Sequence, residues 1–492
     1  MTSIIFNNFL IILCFSPVIG VLGLFFISKN NSLLLKKIAL YSSSASFLGS
    51  LILWFCFNKS IGSFQMVSSY SGFPLINIHF ILGVDGISLF FIILTTFLIF
   101  LCLLVSWKSV SFNLKEYLIS FLVLEFFLLG VFLIMDLMLF YIFFESILIP
   151  MYLIIGIWGS RERKIRAAFF FFIYTLLGSV LMLLSIIYIH YQIGTTDLET
   201  LITVSFTLKE QKILWLTFFL SFATKVPMVP AHIWLPEAHV EAPTSGSVIL
   251  AGILLKLGTY GFLRFCFPLF PEASFYYSPL VYSIASLGIV YTSFTAIRQT
   301  DFKKIIAYTS IAHMNLVILG LFSFNNIGLE GAVLQSLSHG FVASALFVII
   351  GVVYERFHTR TVKYYGGLVH IMPLYIISFL IFTMANIALP GTSSFIGEFL
   401  ILTGLFLTNT TITVIAAISM VLGGCYSLWL FNRIAYGNLK TQYINKFPDL
   451  NRREINILLP FIFCTLITGI YPELFLDYMH MSINLLIEQM CF

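Results

Sequence analysis

The stretch TKVPMVPAHIWLPEAHVEAPTSGSVILAGILLKLG, residues 224–258, sets Lys225 and Lys256 inside apolar sequence, with a proline-broken, histidine-containing segment between them. A lysine at the centre of a bilayer costs about 2.5–3.5 kcal/mol on insertion scales, so each needs a partner or water and is a functional candidate by default. Pro227 and Pro230 free backbone groups that hydrocarbon cannot satisfy, so this segment belongs against protein or along a wet cavity. The stretch reads as the centre of an ion path.

Working outward, 60% of the 492 residues are hydrophobic and 10% charged, with a mean hydropathy of +1.02, which leaves too little polar surface for a soluble fold. The chain reads as an all-α polytopic membrane protein. The first apolar run, from near Ile4, lacks a basic leading region and a small-residue cleavage site, so it is expected to be the first span and not a removed signal peptide. With no Arg- and Ser-rich amphipathic leader, synthesis is expected in the compartment of insertion, a bacterium or an organelle; the 54 phenylalanines suit an AT-rich organellar genome.

Cys14, Cys56, Cys102, Cys266, Cys425, Cys464 and Cys491 stand singly, without a CxxC pair for an iron–sulfur cluster or zinc, and read as packing residues. Neither GxGxxG after a strand nor GxxxxGKS/T occurs, so dinucleotide binding and ATP hydrolysis are not expected. Energy must come from an ion gradient or a partner. The formal net charge of +5 is ordinary for a membrane protein and gives no nucleic-acid signal.

Apolar runs of spanning length fall near 4–27, 33–57, 86–106, 116–134, 136–156, 167–191, 213–235 (broken), 244–266, 276–297, 303–322, 328–353, 370–408 (broken), 411–433 and 455–476, about fourteen spans. Loops after odd-numbered spans hold twenty of the 26 Lys and Arg residues, among them Lys36, Arg161, Arg163, Lys303, Lys304, Arg360, Lys440 and Lys446. The other side holds only Lys59, Lys209, Lys212 and Arg264. That asymmetry is the positive-inside signal, and it puts both termini on the side opposite the positive loops. The longest polar connections, about 58–83, 192–212 and 434–454, are too short to fold alone.

The breaks at KVPMVPAHIWLP (225–236) and ANIALPGTSSFIGEF (385–399) occupy comparable positions in two halves, the best sequence pointer to a transporter built from repeats. The twelfth span comes five after the seventh, an odd offset, which predicts inverted repeats. The expected organisation is residues 1–110 (spans 1 to 3), 111–268 (first repeat, spans 4 to 8), 269–435 (second repeat, spans 9 to 13) and 436–492 (polar loop and last span).

The intramembrane ionisable residues Glu125, Glu145, Lys225, Lys256, His313, His339 and Glu398 form a chain of acid and base groups. Proton transfer across a membrane needs such groups within hydrogen-bond or single-water reach, with proton affinities that neighbours can move. In this reading Glu145 modulates Lys225, Lys256 and the histidines relay, and Glu398 is the exit group. Blander readings stand beside it. Glu125 can snorkel or serve structure; Glu145 can be half of a static ion pair; the lysines can neutralise carboxylates permanently; the histidines can simply bond backbone. His232 and His239, with Glu237 and Glu241, suggest a gate or proton-uptake role; their spacing across Pro236 matches no compact metal-ligand pair, and no metal is expected. RERKIR (161–166) reads as an ordinary positive loop, possible company for anionic lipid.

FFESILIPMY around Glu145, the stretch 225–261, DFKKIIAYTSIAHMN (301–315), LSHG at His339 and LPGTSSFIGEF at Glu398 together resemble the subunit 4 family of NADH dehydrogenase, the antiporter-like membrane subunits of respiratory complex I. The similarity runs from about Phe80 to Asp477, and its wording is nearest to mitochondrial versions from plants, algae or protists. The resemblance implies fourteen helices with two inverted five-helix repeats in the distal membrane arm of the mitochondrial inner membrane, positive loops on the matrix side. It implies proton movement while NADH reduces quinone elsewhere, with Glu145 as the essential glutamate, Lys225 and Lys256 as channel lysines, His313 and His339 as relay histidines and Glu398 as the twelfth-helix acid. NADH, FMN, iron–sulfur clusters and ubiquinone are then expected on partner subunits, and the contacts are other membrane-arm subunits, especially antiporter-like neighbours. Two rivals remain: a cation/proton antiporter subunit of the related multi-subunit type, and a purely architectural subunit with static buried charges.

Overall fold

Long apolar runs without internal charge have one solution in a bilayer, the helix that satisfies its own backbone. A computed structural model of the chain describes residues 2–73, 78–439 and 448–490; Lys440, Lys446 and Cys491 lie outside the described residues. In chain order the elements are α1 (Thr2–Phe25), α2 (Ser32–Cys56), β1 (Gln65–Phe73), β2 (Ile78–Val84), α3 (Gly86–Ser109), α4 (Leu114–Leu133), α5 (Leu137–Ser146), α6 (Leu148–Trp158), α7 (Lys164–Ile193), α8 (Leu198–Ile202), α9 (Leu208–Lys225) and α10 (Trp234–Glu241). A helix follows as α11 (Thr244–Ile249), α12 (Leu255–Gly261) and α13 (Phe267–Leu269), joined by π-helical turns at Leu250–Leu254 and Phe262–Cys266. Then come α14 (Pro271–Tyr276), α15 (Ser278–Arg298), α16 (Phe302–Leu321), α17 (Asn326–Phe357), α18 (Pro373–Asn386), α19 (Ser393–Thr408), α20 (Thr410–Ala435), α21 (Arg452–Ile470) and α22 (Glu473–Met490).

Twelve helices among the described residues are long and apolar enough to cross a membrane. The two expected broken spans complete the set: α9, which carries Lys209, Glu210, Lys212 and Lys225, ends where the first break begins, and α18 and α19 flank the second. The backbone at that second break is left-handed at Ala388 (φ 64°) and Gly391 (φ 90°). Glycine is suited to this conformation and alanine is not.

The chain forms two compact units. The first comprises Met1–Lys225, Lys256–Ser278 and Asp477–Phe492. Here α3 starts at a capping box in which Asp85 accepts from Ser88 N at 2.9 Å and the Ser88 hydroxyl in turn accepts from Asp85 N. The tight turn at Asp136 is held the same way: its carboxylate accepts from Leu139 N at 2.9 Å and from the Thr196 hydroxyl at 2.7 Å. Residues 58–83, expected as a polar connection, contain an antiparallel hairpin with Ser68 opposite Leu82 and Tyr70 opposite Phe80, and Met135 N donates to Ile81 O at 3.0 Å. The final expected span, 455–476, is corrected as well. Helix α21 stops at Ile470, Pro472 prevents continuation, and α22 begins at Glu473. Helix α22 is tied to the start of α3, where Gly86 N donates to the Ser482 hydroxyl at 3.0 Å.

The second unit comprises Val226–Leu255 and Pro279–Leu476. Its axis is α17, 32 residues long with a fully buried apolar stretch. Helix α19 approaches α17 through glycines: a Cβ on Gly404 would stand 2.6 Å from Gly328 Cα, and one on Gly397 would stand 2.8 Å from Gln335 Cα. Small residues at such a seam let backbones close where lipid supplies no hydrophobic drive. The C-terminal end of α17 is fixed by a part-buried ion pair, Arg356 to Glu454 at 2.8 Å, and Asp449 caps α18 by accepting from Leu374 N and Tyr375 N at 2.8 and 3.1 Å.

Candidate functional site

In the first unit, Lys225 ends α9 and is 3% exposed; its ammonium lies 4.4 Å from the centre of the Phe144 ring. A desolvated cation gains about 2 kcal/mol or more from an aromatic face. Glu145 follows Phe144 at the end of α5, where the helix yields at Ile147 before resuming as α6. Its carboxylate accepts from the Ser179 hydroxyl of α7 and interacts electrostatically with Lys225, while Oε1 has no protein partner. Packing sets this arrangement. A Cβ on Gly178 would stand 2.6 Å from Thr224 Oγ1 and 3.1 Å from Leu220 O, so the glycine beside Ser179 lets α9 bring Lys225 close.

Lys256 is fully buried, two residues beyond the first π-helical turn. Such turns cluster at functional sites because the extra residue re-aims the side chains that follow. Glu125, also fully buried, accepts from the Ser46 hydroxyl, and its Oε2 is unpartnered. That corrects the snorkelling alternative, since a snorkelling carboxylate would reach water.

In the second unit three of the expected residues come together. His313 Nδ1 lies 3.0 Å from Glu398 Oε1, and the His313 and His339 rings are centred 5.8 Å apart. The same carboxylate oxygen accepts from Gln335 Nε2 at 3.1 Å, and the Ser338 hydroxyl donates to Gln335 Oε1 at 2.9 Å. Buried Tyr426 of α20 interacts electrostatically with Glu398. Sequence reasoning missed Gln335 and Tyr426. The signal for Gln335 was present, because it sits four residues before His339 and so shares its helical face.

His232 and His239 are separate from this cluster in their contacts. His232 meets the Tyr291 ring edge-on at 5.5 Å, with Nδ1 unpartnered, and His239 stacks flat on Phe347 at 4.7 Å. Glu237 pairs with Lys304 at 2.9 Å. Two cations expected in solvated positive loops, Lys303 and Arg360, are instead each 1% exposed. Their donors reach the carbonyls at the end of α10, which a solvated loop would have left to water.

Chemically, each unit offers a carboxylate within electrostatic or hydrogen-bond reach of a base. Such a pair can hold, exchange or hand on a proton. Among the described residues no group of three or more His, Cys, Asp or Glu side chains is arranged to hold a metal ion.

Residues 134–423 match the family described as NADH:quinone oxidoreductase/Mrp antiporter, transmembrane. The chain is 56% identical to NADH-ubiquinone oxidoreductase chain 4 of Arabidopsis thaliana over 483 residues, covering 98% of this chain and 97% of that one. It is 47% identical to the chain 4 of Metridium senile over 464 residues, 93% and 94% of the two chains. A chain of respiratory complex I from Thermus thermophilus with bound NADH superposes with a TM-score of 0.89 at 28% identity, covering 98% of this chain and 99% of that one. A chain of the Mrp complex from Dietzia shares the fold, with a TM-score of 0.86 at 18% identity over 98% and 99% of the chains. This near end-to-end likeness makes the conclusion plain: the chain belongs to the NADH-ubiquinone oxidoreductase chain 4 family of antiporter-like membrane subunits.

Proposed function

We propose that this chain is the proton-translocating, antiporter-like membrane subunit of mitochondrial NADH:ubiquinone oxidoreductase, moving protons while partner subunits pass electrons from NADH to quinone. The observation that carries the reading is the pairing of an acid with a base in each unit: half-buried Glu145 with buried Lys225 in one, buried Glu398 with half-buried His313 in the other. In the first pair, a nearby carboxylate stabilises the lysine's charge, and withdrawing it releases the proton. In the second, a direct contact lets a proton pass between imidazole and carboxylate, with Gln335 holding the carboxylate in place. Lys256 and His339 complete the relay, and Glu398 is the exit group. Glu125, His232 and His239 are secondary members.

In the same reading spans 4 to 8 and 9 to 13 are inverted repeats, and the positive loops face the matrix of the mitochondrial inner membrane. The neighbours are other membrane-arm subunits, antiporter-like ones above all, with anionic lipid at the positive loops. NADH, FMN, the iron–sulfur clusters and ubiquinone belong to those partners. The fold shared with the Mrp chain supports a second reading, a cation/proton antiporter subunit, which predicts sodium-dependent transport without NADH. Lys225→Ala in a tractable relative separates the readings when NADH-driven pumping, sodium dependence and native-gel assembly are measured together. Loss of pumping in assembled complex supports the proposal; full pumping in that variant contradicts it.

A further inference from the structure

The half-helix α10, which carries His239, ends at a break whose carbonyls must be satisfied inside the protein, because the last turn of any helix leaves its C=O groups without intrahelical donors. Three donors meet them. Lys303 Nζ donates to Ala242 O at 2.7 Å, the Ser247 hydroxyl donates to His239 O at 3.0 Å, and the Arg360 guanidinium donates to Val240 O. Lys303 also donates to the Ser247 hydroxyl at 3.1 Å, so one ammonium ties the end of α10 to the start of α11.

A cation at a helix C-terminus is favourable because the dipole places partial negative charge there, and the effect is largest when the site is partly buried. Here the cations are buried and enclosed. Lys303 sits at the start of α16, where Asp301 caps the helix by accepting from Lys303 N at 3.1 Å. The strand-like segment around Arg360 is pinned to the same place, with Phe302 N donating to Arg360 O at 3.0 Å and Val362 N to Thr300 O at 2.9 Å. The charges that act on Lys303 are Arg360, Asp301 and Glu241. Lys304, on the next position, holds the outer face of α10 through Glu237.

We infer that Lys303 is a positioning residue for the proton path: its ammonium clamps the junction between α10 and α11 and thereby fixes where His239 stands against Phe347. Residue type alone does not require this. A positive loop lysine points to water, whereas Lys303 spends its donors on a carbonyl and a hydroxyl more than fifty residues away in sequence. Losing the ammonium leaves Ala242 O and the Ser247 hydroxyl short of a donor and releases the break, which loosens His239 without touching either acid–base pair.

The inference rests on the proton-translocating reading, so its test carries a control for that reading. Membranes of a tractable relative bearing Lys303→Met, Lys303→Arg, Ser247→Ala or Glu145→Gln are compared for native-gel assembly, NADH oxidation and protons pumped per NADH. Lys303→Met is expected to assemble and oxidise NADH but to pump at less than about half the normal ratio, and Lys303→Arg, which keeps a cationic donor, to recover most of it. An unchanged ratio in assembled Lys303→Met, while Glu145→Gln loses pumping, overturns the inference and leaves the general reading standing. An unchanged ratio in both overturns the general reading. Should Lys303→Met fail to assemble, Ser247→Ala decides, because it removes the hydroxyl that links the ammonium to His239 O while the ammonium stays bonded to Ala242 O. A lowered ratio at normal assembly supports the clamp, and a normal ratio contradicts it.

Discussion

The two units hold their acid–base pairs differently. In the first, Glu145 and Lys225 interact through their charges without a direct ion pair: the ammonium rests on Phe144, the carboxylate leans on Ser179, and one carboxylate oxygen is left over. In the second, Glu398 touches His313 at 3.0 Å and is braced by Gln335. Coulomb energy in a poorly screened site changes steeply with distance, so the first pair is set to respond to small movements. The second is set for transfer, since a proton crosses a hydrogen bond and not a gap. Under the proposed function the difference is a division of labour, with the loose pair sensing and the tight pair delivering.

The largest expected effect comes from removing an acid. Glu398→Gln keeps size and a hydrogen-bonding amide but cannot exchange a proton, so pumping per NADH should fall at least ~10-fold with assembly intact. If assembly and pumping fall together and proportionately, Glu398 is structural instead. Next is the seam that builds the tight pair. Gly397→Val places methyl groups where Gln335 backbone already stands, at a cost of about 1–3 kcal/mol, and should lower the thermal midpoint and the yield of assembled complex.

A smaller effect is expected from Gln335→Leu. An interhelical hydrogen bond in a membrane is worth about 0.6 kcal/mol on average, so the pumping rate should drop roughly two- to threefold. The equivalent change on the loose side, Ser179→Ala, should do no more than that, because Glu145 there depends chiefly on its charge interaction with Lys225. A larger loss from Ser179→Ala than from Gln335→Leu would reverse the assignment of the two pairs.

What the sequence made legible follows from energy. Runs of twenty apolar residues announce spans, and a lysine or glutamate inside one is expensive enough to stand out; hence Glu145, Lys225, Lys256 and Glu398 were all visible. Prolines 227 and 230 and the Pro390–Gly391 pair marked both breaks for the same reason. Features decided by partners distant in sequence were hidden. Lys303 looks like any positive-loop lysine until Ala242 is placed beside it; the spacing of Gln335 to His339 marks a shared helical face, but its bond to Glu398 depends on the close approach at Gly397. Helix α22 escaped because ELFLDYMHMSINLLIEQM divides its apolar residues with polar ones and has no spanning-length run, and β1 because QMVSSYSGF is serine-rich and reads as a polar connection. The π-helical turns on either side of Lys256 leave no local sequence mark at all.

The most direct test of the central claim is the proton-to-electron ratio of assembled complex carrying Glu145→Gln, measured during NADH oxidation in sealed membranes. Normal assembly with a sharply reduced ratio is expected, because Lys225 loses the carboxylate charge proposed to govern its proton. A normal ratio in fully assembled complex would mean that the buried charges only hold the helices together.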